Sequence, residues 1–379
     1  MLRSSISAGF ALTCALALVA LGPAPACAKG FRVLYAFSGN DGRYPNGPLL
    51  RDKEGDLYGT TREGGTNNLG TVFKLAPDGT ETVLHNFEAG SDGQGPGTNL
   101  ILDASGNVYG ITGGGGSDHY GTIFKISADG SETVLQNFDS ASGSPFSLTA
   151  DGAGNLYGFA SEGRYGYGMV YELSPDGTFT VLYSFRPGEH GYLPLGSLLR
   201  DKKGNLYSTT SLGGQTDLGG TVFKLEPDGK EKVLYSFTAG SDGGDPSAGV
   251  IRDSAGNFYG TAGNYGNSTC DYGCGTVFKL APDRTETTLY SFTGKSDGGW
   301  PYSGVVADSA GNLYGAGSYG MGTVFKIAPD GTETTLYTFT GGSDGAYPNG
   351  LIIDRKGHLY GTTTGDGVHG CGTVFEFSQ

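Results

Sequence analysis

The chain has 379 residues, of which 38 are acidic and 24 are lysine or arginine, and its formal net charge is −14. This acidity excludes nucleic acid and anionic membrane surfaces as partners, because phosphate-rich partners need clustered lysine and arginine. The 71 glycines recur at turn positions beside 23 tyrosines and 20 phenylalanines. This composition is typical of tight turns between aromatic-rich strands, and not of a collagen-like or disordered chain.

The first 28 residues have the pattern of a secretory signal peptide. Arg3 lies in a short polar start, an apolar run covers residues 8–21, and an Ala-x-Ala sequence ends near Ala28. We therefore predict cleavage after Ala28 and a secreted protein, periplasmic or extracellular, whose mature chain (residues 29–379) has no transmembrane segment. The alternative is a lipoprotein with its lipid on Cys27, although the preceding Ala-Pro-Ala matches a lipoprotein cleavage site poorly.

The rest of the chain consists of seven copies of one repeat of about fifty residues. Each copy contains Gly-Thr-Val-Phe or a close variant, at a spacing of 47–55 residues. The segments occupy residues 70–73, 121–124, 168–171, 220–223, 275–278, 322–325 and 372–375. This spacing is within the range of propeller blades, so seven copies predict seven blades.

Each copy has four short runs in which apolar residues alternate with others, as in β-strands, and no helical period occurs beyond the leader. In the last copy, strands of the first three types are predicted at residues 350–354, 358–362 and 372–377; the preceding copy has the fourth type at residues 335–339. The mature chain begins with a fourth-type run, residues 31–37. We therefore predict an all-β, seven-bladed β-propeller with four-stranded blades, in which this N-terminal strand completes the last blade and closes the ring.

The repeat also resembles a known family. Residues 55–61 read Gly-Asp-Leu-Tyr-Gly-Thr-Thr and residues 70–79 read Gly-Thr-Val-Phe-Lys-Leu-Ala-Pro-Asp-Gly. This unit is similar to the bacterial tandem repeats called GloVer repeats, which occur in exported proteins. The resemblance covers residues 31–379 and implies a propeller and surface exposure, with no established reaction. More loosely, the stretch Pro-x-Gly-Leu-x-x-Asp-x-x-Gly-Asn-Leu-Tyr is similar to NHL-type propeller blades, which implies the same strand order.

Three cysteines follow the leader. Cys270 and Cys274 are close enough to bridge across a short loop in an oxidising compartment, so we predict one local disulfide and a free thiol at Cys371. A zinc site is the alternative, but three thiols split over two repeats lack a matching second pair.

The predicted barrel has two different ends. One, here called the turn end, carries short turns of the forms Asp-x-x-Gly and Pro-Asp-Gly. The aspartates of its Asp-x-x-Gly turns are Asp52, Asp103, Asp151, Asp201, Asp253, Asp308 and Asp354. They suggest calcium or, alternatively, turns in which each carboxylate bonds its own backbone. The second interpretation is favoured because no dense set of carboxylates surrounds them. We expect no cofactor and no metal, with calcium as the alternative.

The opposite end, here called the loop end, carries the loops between second and third strands and the connections between blades, which vary in length and chemistry. Binding usually resides in variable loops on a repeated scaffold. Exposed rings beside Asp, Asn and Gly suit carbohydrate, because rings cover the apolar sides of sugars; the alternative is that the rings pack between blades. The candidate ligand-binding residues, Trp300 first among them, are Trp300, Tyr302, Tyr347, Tyr44, Tyr120, Tyr165, Tyr167 and Tyr192.

Five Asp-Gly pairs also fall at the loop end. Their carboxylates either bind cations or fix the turn between blades, and the turn is favoured because hard cations need several converging oxygens. The five are Asp41, Asp92, Asp242, Asp297 and Asp344.

Histidines at the loop end raise the question of catalysis. His119, His190 and His369 are predicted at positions from which they could face a common channel, and His190 with Tyr192 has the chemistry of a lyase base and acid. However, no nucleophile elbow, metal-ligand pair or phosphate loop accompanies them, and a loop histidine is more often only solvated.

The sequence therefore favours a monomeric, secreted or surface-exposed binding protein that recognises a glycan or another extracellular macromolecule through the loop end. A polysaccharide lyase or hydrolase is the first alternative, and a structural or adhesive surface protein is the second.

Overall fold

A computed structural model describes residues 30–88, 90–97, 99–267 and 269–378. The predicted signal peptide, with Cys27, lies outside these described residues. Within them the chain forms 30 β-strands and no α-helix. No helix that is long and apolar enough to span a membrane occurs in this part of the chain.

The strands form seven antiparallel sheets, the blades, and the first strand, β1 (Phe31–Ala36), belongs to the last of them. Blade 1 contains β2 (Arg43–Arg51), β3 (Leu57–Glu63), β4 (Thr71–Leu75) and β5 (Glu81–Asn86). Blade 2 contains β6 (Gln94–Pro96), β7 (Ile101–Leu102), β8 (Val108–Gly114), β9 (Thr122–Ile126) and β10 (Glu132–Asn137). Blade 3 contains β11 (Pro145–Ala150), β12 (Leu156–Ala160), β13 (Met169–Leu173) and β14 (Phe179–Ser184). Blade 4 contains β15 (Leu199–Arg200), β16 (Leu206–Thr210), β17 (Thr221–Leu225) and β18 (Glu231–Ser236).

Blade 5 contains β19 (Val250–Arg252), β20 (Phe258–Ala262), β21 (Thr276–Leu280) and β22 (Glu286–Ser291). Blade 6 contains β23 (Val305–Ala307), β24 (Leu313–Gly317), β25 (Thr323–Ile327) and β26 (Glu333–Thr338). Blade 7 contains β27 (Ala346–Pro348), β28 (Ile352–Ile353), β29 (Leu359–Gly365) and β30 (Thr373–Phe377), together with β1. The innermost strand is split into two segments in blades 2 and 7, so each blade has four strand positions. The predicted seven-bladed, four-stranded propeller is confirmed.

The ring closes as the strand order of the sequence predicted. Strand β1 pairs antiparallel with β30, with Phe31 opposite Phe377. The Arg32 guanidinium donates a 2.6 Å hydrogen bond to Glu376. Because β1 is the outermost strand of the blade that contains the C-terminal strand, both ends of the chain share one sheet, and neither β1 nor β30 is left without a partner.

Aromatic rings fill the junctions between blades. At each of the seven junctions, a phenylalanine after the outer strand of one blade meets the aromatic residue of the Gly-Thr-Val-Phe segment in the next blade edge to face, with ring centroids 4.9–5.3 Å apart. The pairs are Phe37 with Phe73, Phe87 with Phe124, Phe138 with Tyr171, Phe185 with Phe223, Phe237 with Phe278, Phe292 with Phe325, and Phe339 with Phe375. Such pairs stabilise beyond the area that they bury. The segment that reveals the repeat in the sequence therefore also builds the core.

Candidate functional site

The connections between blades share one backbone geometry at the loop end. In five of them, the residue before the proline of the connection has a positive φ of 53–58°, which is costly for any residue with a Cβ. Its N–H donates to a carbonyl of the preceding blade at 2.8–3.1 Å, which holds the two blades in place. These residues are Tyr44, Leu193, Asp245, Trp300 and Tyr347. The same backbone thus presents five unlike side chains.

The central channel contains two cavities. The larger, of about 570 Å³, is lined mainly by apolar side chains of the innermost strands, including Leu50, Ile251 and Ile352. The smaller, of about 250 Å³ and here called the mouth cavity, lies towards the loop end. The residues that line both, and so lie between the two cavities, are Pro48, Asn99, Ser197, Ala248, Ser303 and Gly350. A ligand approaching from the loop end therefore meets the mouth cavity first.

The mouth cavity is lined by the residue that follows the connecting proline in five blades. These residues are Asn46, Leu195, Ser247, Tyr302 and Asn349. Ring closure brings them together although they are about fifty or more residues apart in sequence. Their side chains are short and polar or large and apolar, and none is charged. Such a lining favours uncharged hydroxyl and amide groups of a ligand over a metal ion.

A hydrogen-bonded network fixes Tyr302 at this mouth. The Tyr302 hydroxyl donates to Asn264 Oδ1 at 2.8 Å, and Asn264 Nδ2 donates to Asp245 Oδ2 at 2.9 Å. Burial raises the pKa of Asp245 above its usual range. Burial also raises the pKa of the Tyr302 hydroxyl, and the charge of Asp245 adds to the effect. The tyrosine is therefore held in one position and stays protonated at neutral pH.

The structure divides the loop aromatics predicted from the sequence into packed and exposed residues. Trp300 is half-buried; its Nε1 donates to the carbonyl of Gly273 at 3.0 Å, and its ring packs against Tyr319. Half-buried Tyr44 stacks under the guanidinium of Arg43, 4.4 Å from the ring centroid. The exposed ones, at 37–47%, are Tyr120, Tyr165, Tyr167, Tyr302 and Tyr347. Half-buried Tyr192 packs against Tyr167 at 5.4 Å. Trp300 is thus first of all an anchor between blades 5 and 6.

Exposed large apolar side chains gather at the loop end. Among the described residues, ten of the eleven such side chains lie in its loops and connections, and the exception is Val181 on outer strand β14. Sequence reasoning missed half of the ten, namely Leu195, Leu218, Tyr272, Met321 and Val368. Exposed large apolar side chains concentrated on one end of a protein are typical of an interaction face.

Tyr272 is the most exposed of these side chains, at 81%. It lies at the tip of a five-residue loop that a disulfide between Cys270 and Cys274 closes. The Tyr272 carbonyl accepts a hydrogen bond from the Tyr265 N–H at 2.6 Å, so the loop is also tied to the preceding chain. An aromatic ring that is both rigidly held and exposed loses little conformational entropy on binding. Its place between two cysteines of a variable loop is the signal that could have identified it in the sequence.

The structure does not bring the loop-end histidines together. None of His119, His190 and His369 is among the described residues that line either cavity, and all three are exposed. His190 bonds Glu231 at 2.5 Å through its Nδ1, whereas Tyr192 packs on Tyr167. Each of these two residues thus has another contact partner, and their role as base and acid of a lyase stays a prediction. Cys371, predicted as the free thiol, is unpaired in disulfides and buried.

The repeated aspartates at both ends use their oxygens to hold turns. At the loop end, Asp242 accepts hydrogen bonds from the Thr238 N–H at 2.8 Å and the Tyr235 hydroxyl at 2.9 Å. At the turn end, Asp103 accepts them from the Asn107 N–H and side-chain amide at 2.9 and 2.7 Å. These bonds are the ones that the predicted turn-fixing role requires. Among the described residues, no group of three or more His, Cys, Asp or Glu side chains is arranged to hold a metal ion.

Two glutamates lie close to these turn aspartates. Glu81 and Glu132 begin outer strands β5 and β10, and the Oε1 of each is buried without a hydrogen-bond partner among the described residues. Burial, together with the charge of Asp41 for Glu81 and of Asp92 for Glu132, raises the pKa of each glutamate to about 7. The folded protein therefore favours the protonated form of both side chains.

We expect thermal stability to fall as the pH rises from about 5 to about 8. A carboxyl whose folded pKa lies above the unfolded value of 4.5 stabilises the fold fully below that value and loses the effect as the pH passes about 7. Melting curves of the wild type and of Glu81→Gln with Glu132→Gln measure this, and the double variant should show the shallower decline. Val83→Thr is a second variant that should also show a shallower decline. In the equivalent place of blade 5, the Thr288 hydroxyl donates a hydrogen bond to the Glu286 carboxylate, so a hydroxyl at position 83 should stabilise ionised Glu81. Equal slopes in all chains would contradict the assignment.

Together these features define a seven-bladed β-propeller of tandem repeats whose variable side chains meet at the loop end. The chain belongs to the family of the Gloeobacter/Verrucomicrobia repeat, which matches residues 24–160 and 144–375. The resemblance to GloVer repeats is thus confirmed, whereas the looser similarity to NHL-type blades stays a prediction. No curated protein matches the sequence with significance.

Several solved structures share the fold at low sequence identity. The virginiamycin B lyase of Staphylococcus aureus is 10% identical with a TM-score of 0.61, over 92% of this chain and all of that one. The extracellular domain of a proposed one-component system from B. thetaiotaomicron is 12% identical with a TM-score of 0.56, over 91% of this chain and 40% of that one. A puromycin-hydrolyzing peptidase of Mycobacterium tuberculosis is 13% identical with a TM-score of 0.55, over 86% and 51%. At these identities the similarity shows the fold alone.

Proposed function

We propose that this protein binds a polysaccharide through the loop end of the propeller. The observation that carries the proposal is the concentration of exposed large apolar side chains there, ten of eleven among the described residues. A solvated surface with no partner has no reason to gather such residues at one end of a ring of near-identical blades. Their contrast with the stereotyped turn end supports a selected interaction face.

A glycan fits the chemistry of this face better than a compact metal-dependent ligand or a nucleic acid. Exposed tyrosines cover the apolar faces of sugar rings, and the mouth cavity supplies short polar side chains such as Asn46 and Ser247. Tyr272 in blade 5 and Tyr347 at the start of blade 7 are the most exposed rings, at 81% and 47%. An extended chain of sugars can contact several such rings in a row, which a small ligand cannot.

The proposal places the protein outside the cytoplasm. The predicted leader directs export, and a disulfide such as that between Cys270 and Cys274 is typical of oxidising compartments. In such a compartment, polysaccharides of the cell surface are available as ligands.

We expect Tyr272→Ala and Tyr347→Ala each to weaken polysaccharide binding by about tenfold, and together by more, because exposed aromatic anchors dominate binding energy. Affinity is measured by calorimetry on residues 29–379 with a panel of soluble polysaccharides, and product formation is followed in the same samples. The matched control is Val181→Ala, since Val181 is 48% exposed but lies on β14 away from the loop end.

Three results would overturn the proposal. Binding of no polysaccharide at all is the first, and equal loss of affinity in the tyrosine variants and in Val181→Ala is the second. Release of cleaved products at a rate that His190→Ala abolishes is the third, since it would make the protein a lyase or hydrolase.

A further inference from the structure

The junction between blades 3 and 4 lacks the Asp-Gly turn that five of the seven junctions carry. At the junction of blades 4 and 5, Thr238 and Asp242 follow Phe237 by one and five residues and form the acidic turn. The same two positions after Phe185 are Arg186 and His190. A buried, negatively charged turn is replaced by one that carries an exposed guanidinium and an exposed imidazole. The change matters because it removes a turn carboxylate and adds a guanidinium in a protein whose net charge is −14.

Glu231 has a different environment at this junction as a result. Its side chain is 1% exposed, and its Oε2 bonds the imidazole of His190, where equivalent glutamates lie beside a turn aspartate. The buried carboxylate is thereby paired with the histidine. This pair holds the turn in place through His190, while the Arg186 side chain is exposed to solvent.

Two arginines converge on one tyrosine at this junction. The guanidinium carbon of Arg186 lies 5.0 Å from the centroid of the Tyr165 ring, and that of Arg164 lies 5.5 Å from the same centroid. Both arginines are exposed, and neither has an ion-pair partner among the described residues. A guanidinium that contacts an aromatic ring keeps N–H groups available for an oxyanion such as a carboxylate or sulfate group.

We propose that Arg164, Tyr165 and Arg186 form an anion subsite of the loop end, which binds the carboxylate or sulfate group of an acidic polysaccharide. The inference rests on the proposed function and names the class of its ligand. The ring of Tyr165, 40% exposed, holds the guanidinium groups in place, and these donate paired hydrogen bonds to the oxyanion. In an otherwise acidic protein, this subsite fixes which part of an acidic glycan chain is bound at blades 3 and 4.

The acidic neighbours of the subsite provide a test of whether binding depends on charge, because removing a carboxylate and removing a guanidinium should change the affinity in opposite directions. Glu162 lies in the loop of Arg164, and exposed Glu189 lies in the turn of Arg186. If the subsite acts on charge, Glu189→Gln removes a repulsive carboxylate and strengthens the binding of an acidic ligand. Neutralising the arginines has the opposite effect. A merely structural role of the turn would not produce opposite changes.

The experiment compares three probes, polygalacturonate, dextran sulfate and uncharged dextran, on residues 29–379. Arg164→Gln with Arg186→Gln should weaken binding to at least one charged probe by about tenfold or more and leave dextran unchanged, because hydrogen bonds to charged groups are lost. Glu189→Gln should strengthen the same interaction. The preferred charged probe identifies carboxylate or sulfate as the group recognised. Arg186→Lys keeps the positive charge but lacks the planar guanidinium with its paired N–H donors, so it should give an intermediate affinity. Circular dichroism checks that each variant is folded.

Unchanged affinity of the double arginine variant for both charged probes would overturn the subsite. If Tyr272→Ala still weakened binding in that case, the proposed function would stand alone. Binding of polyglutamate as tightly as the charged polysaccharides would also overturn the inference, because the subsite would then recognise charge without sugar. If the wild type bound none of the three probes nor any other polysaccharide, the proposed function itself would fail.

Discussion

Deleting residues 31–37 should abolish the stable fold, or lower its unfolding free energy by about 6 kcal/mol or more, because this segment contains two buried phenylalanines. Phe31 is 6% exposed and Phe37 is 0% exposed. Truncation of a buried phenylalanine costs about 3–5 kcal/mol, and natural domains are stable by only about 5–15 kcal/mol. The loss of the β1 to β30 pairing adds to this effect.

The two phenylalanines act at different junctions. The ring of Phe31 stacks on Tyr337 of blade 6 at 3.8 Å, whereas Phe37 packs edge to face on Phe73 of blade 1 at 5.0 Å. Residues 31–37 therefore join blade 7 to both of its neighbours. Their removal opens the ring on two sides and exposes the edge of β30.

Thermal and urea unfolding of the deletion variant and of residues 29–379 measures the effect. Arg32→Ala is the control within the same strand, since the Arg32 side chain is 65% exposed, while its partner Glu376 is 11% exposed and also lies 3.4 Å from His358. Loss of one partner of such a pair costs about 1–3 kcal/mol, which is well below the effect expected for the deletion. A deletion variant that melts at the temperature of the intact chain would show that the blades are stable without closure.

The blade count and the closure could be predicted from the sequence because each rests on a local signal that repeats. The phenylalanine of Gly-Thr-Val-Phe recurs since every junction needs an aromatic ring, and Gly59 lies opposite one such ring, where a Cβ would come within 2.5 Å of Phe73. Closure followed from the order of strand types at the two ends of the chain. The aromatic ring is a property of each repeat, so the sequence displays it seven times.

The site was less predictable because it depends on contacts between repeats. No local pattern shows that Trp300 donates its indole N–H to Gly273, which converts the best sequence candidate into an anchor of the blade 5 loop. Asn46 and Ser247 reach one mouth cavity only through ring closure. The place of Tyr272 between two cysteines indicates a short bridged loop, but the exposure of its ring depends on where the neighbouring loops lie.

Asp201→Ala should destabilise the fold by about 3 kcal/mol or more, because one carboxylate at the turn end satisfies several donors. It accepts hydrogen bonds from the Lys203 N–H, from the N–H and side-chain amide of Asn205 and from the Tyr207 hydroxyl, at 2.7–3.1 Å. Asn205 and Tyr207 are each 6% exposed, so their donors would lose a buried partner. The matched control is Asp228→Ala, in an exposed Pro-Asp-Gly turn where the carboxylate accepts a bond from the Lys230 N–H.

The pH dependence of this difference separates a turn from a calcium site. Burial alone would raise the pKa of Asp201, but the hydrogen bonds from Asn205 and its neighbours outweigh burial and lower it. A carboxylate with a lowered pKa stabilises the fold above its unfolded value of 3.8 and loses the effect as the pH falls through the folded value. The difference in melting temperature between wild type and Asp201→Ala should therefore be constant above about pH 5, shrink below about pH 4, and not respond to a chelator. If a chelator lowered the wild-type melting temperature to that of the variant, the carboxylate would be a cation ligand, and the seven turns would have to be reinterpreted as a metal-dependent ring.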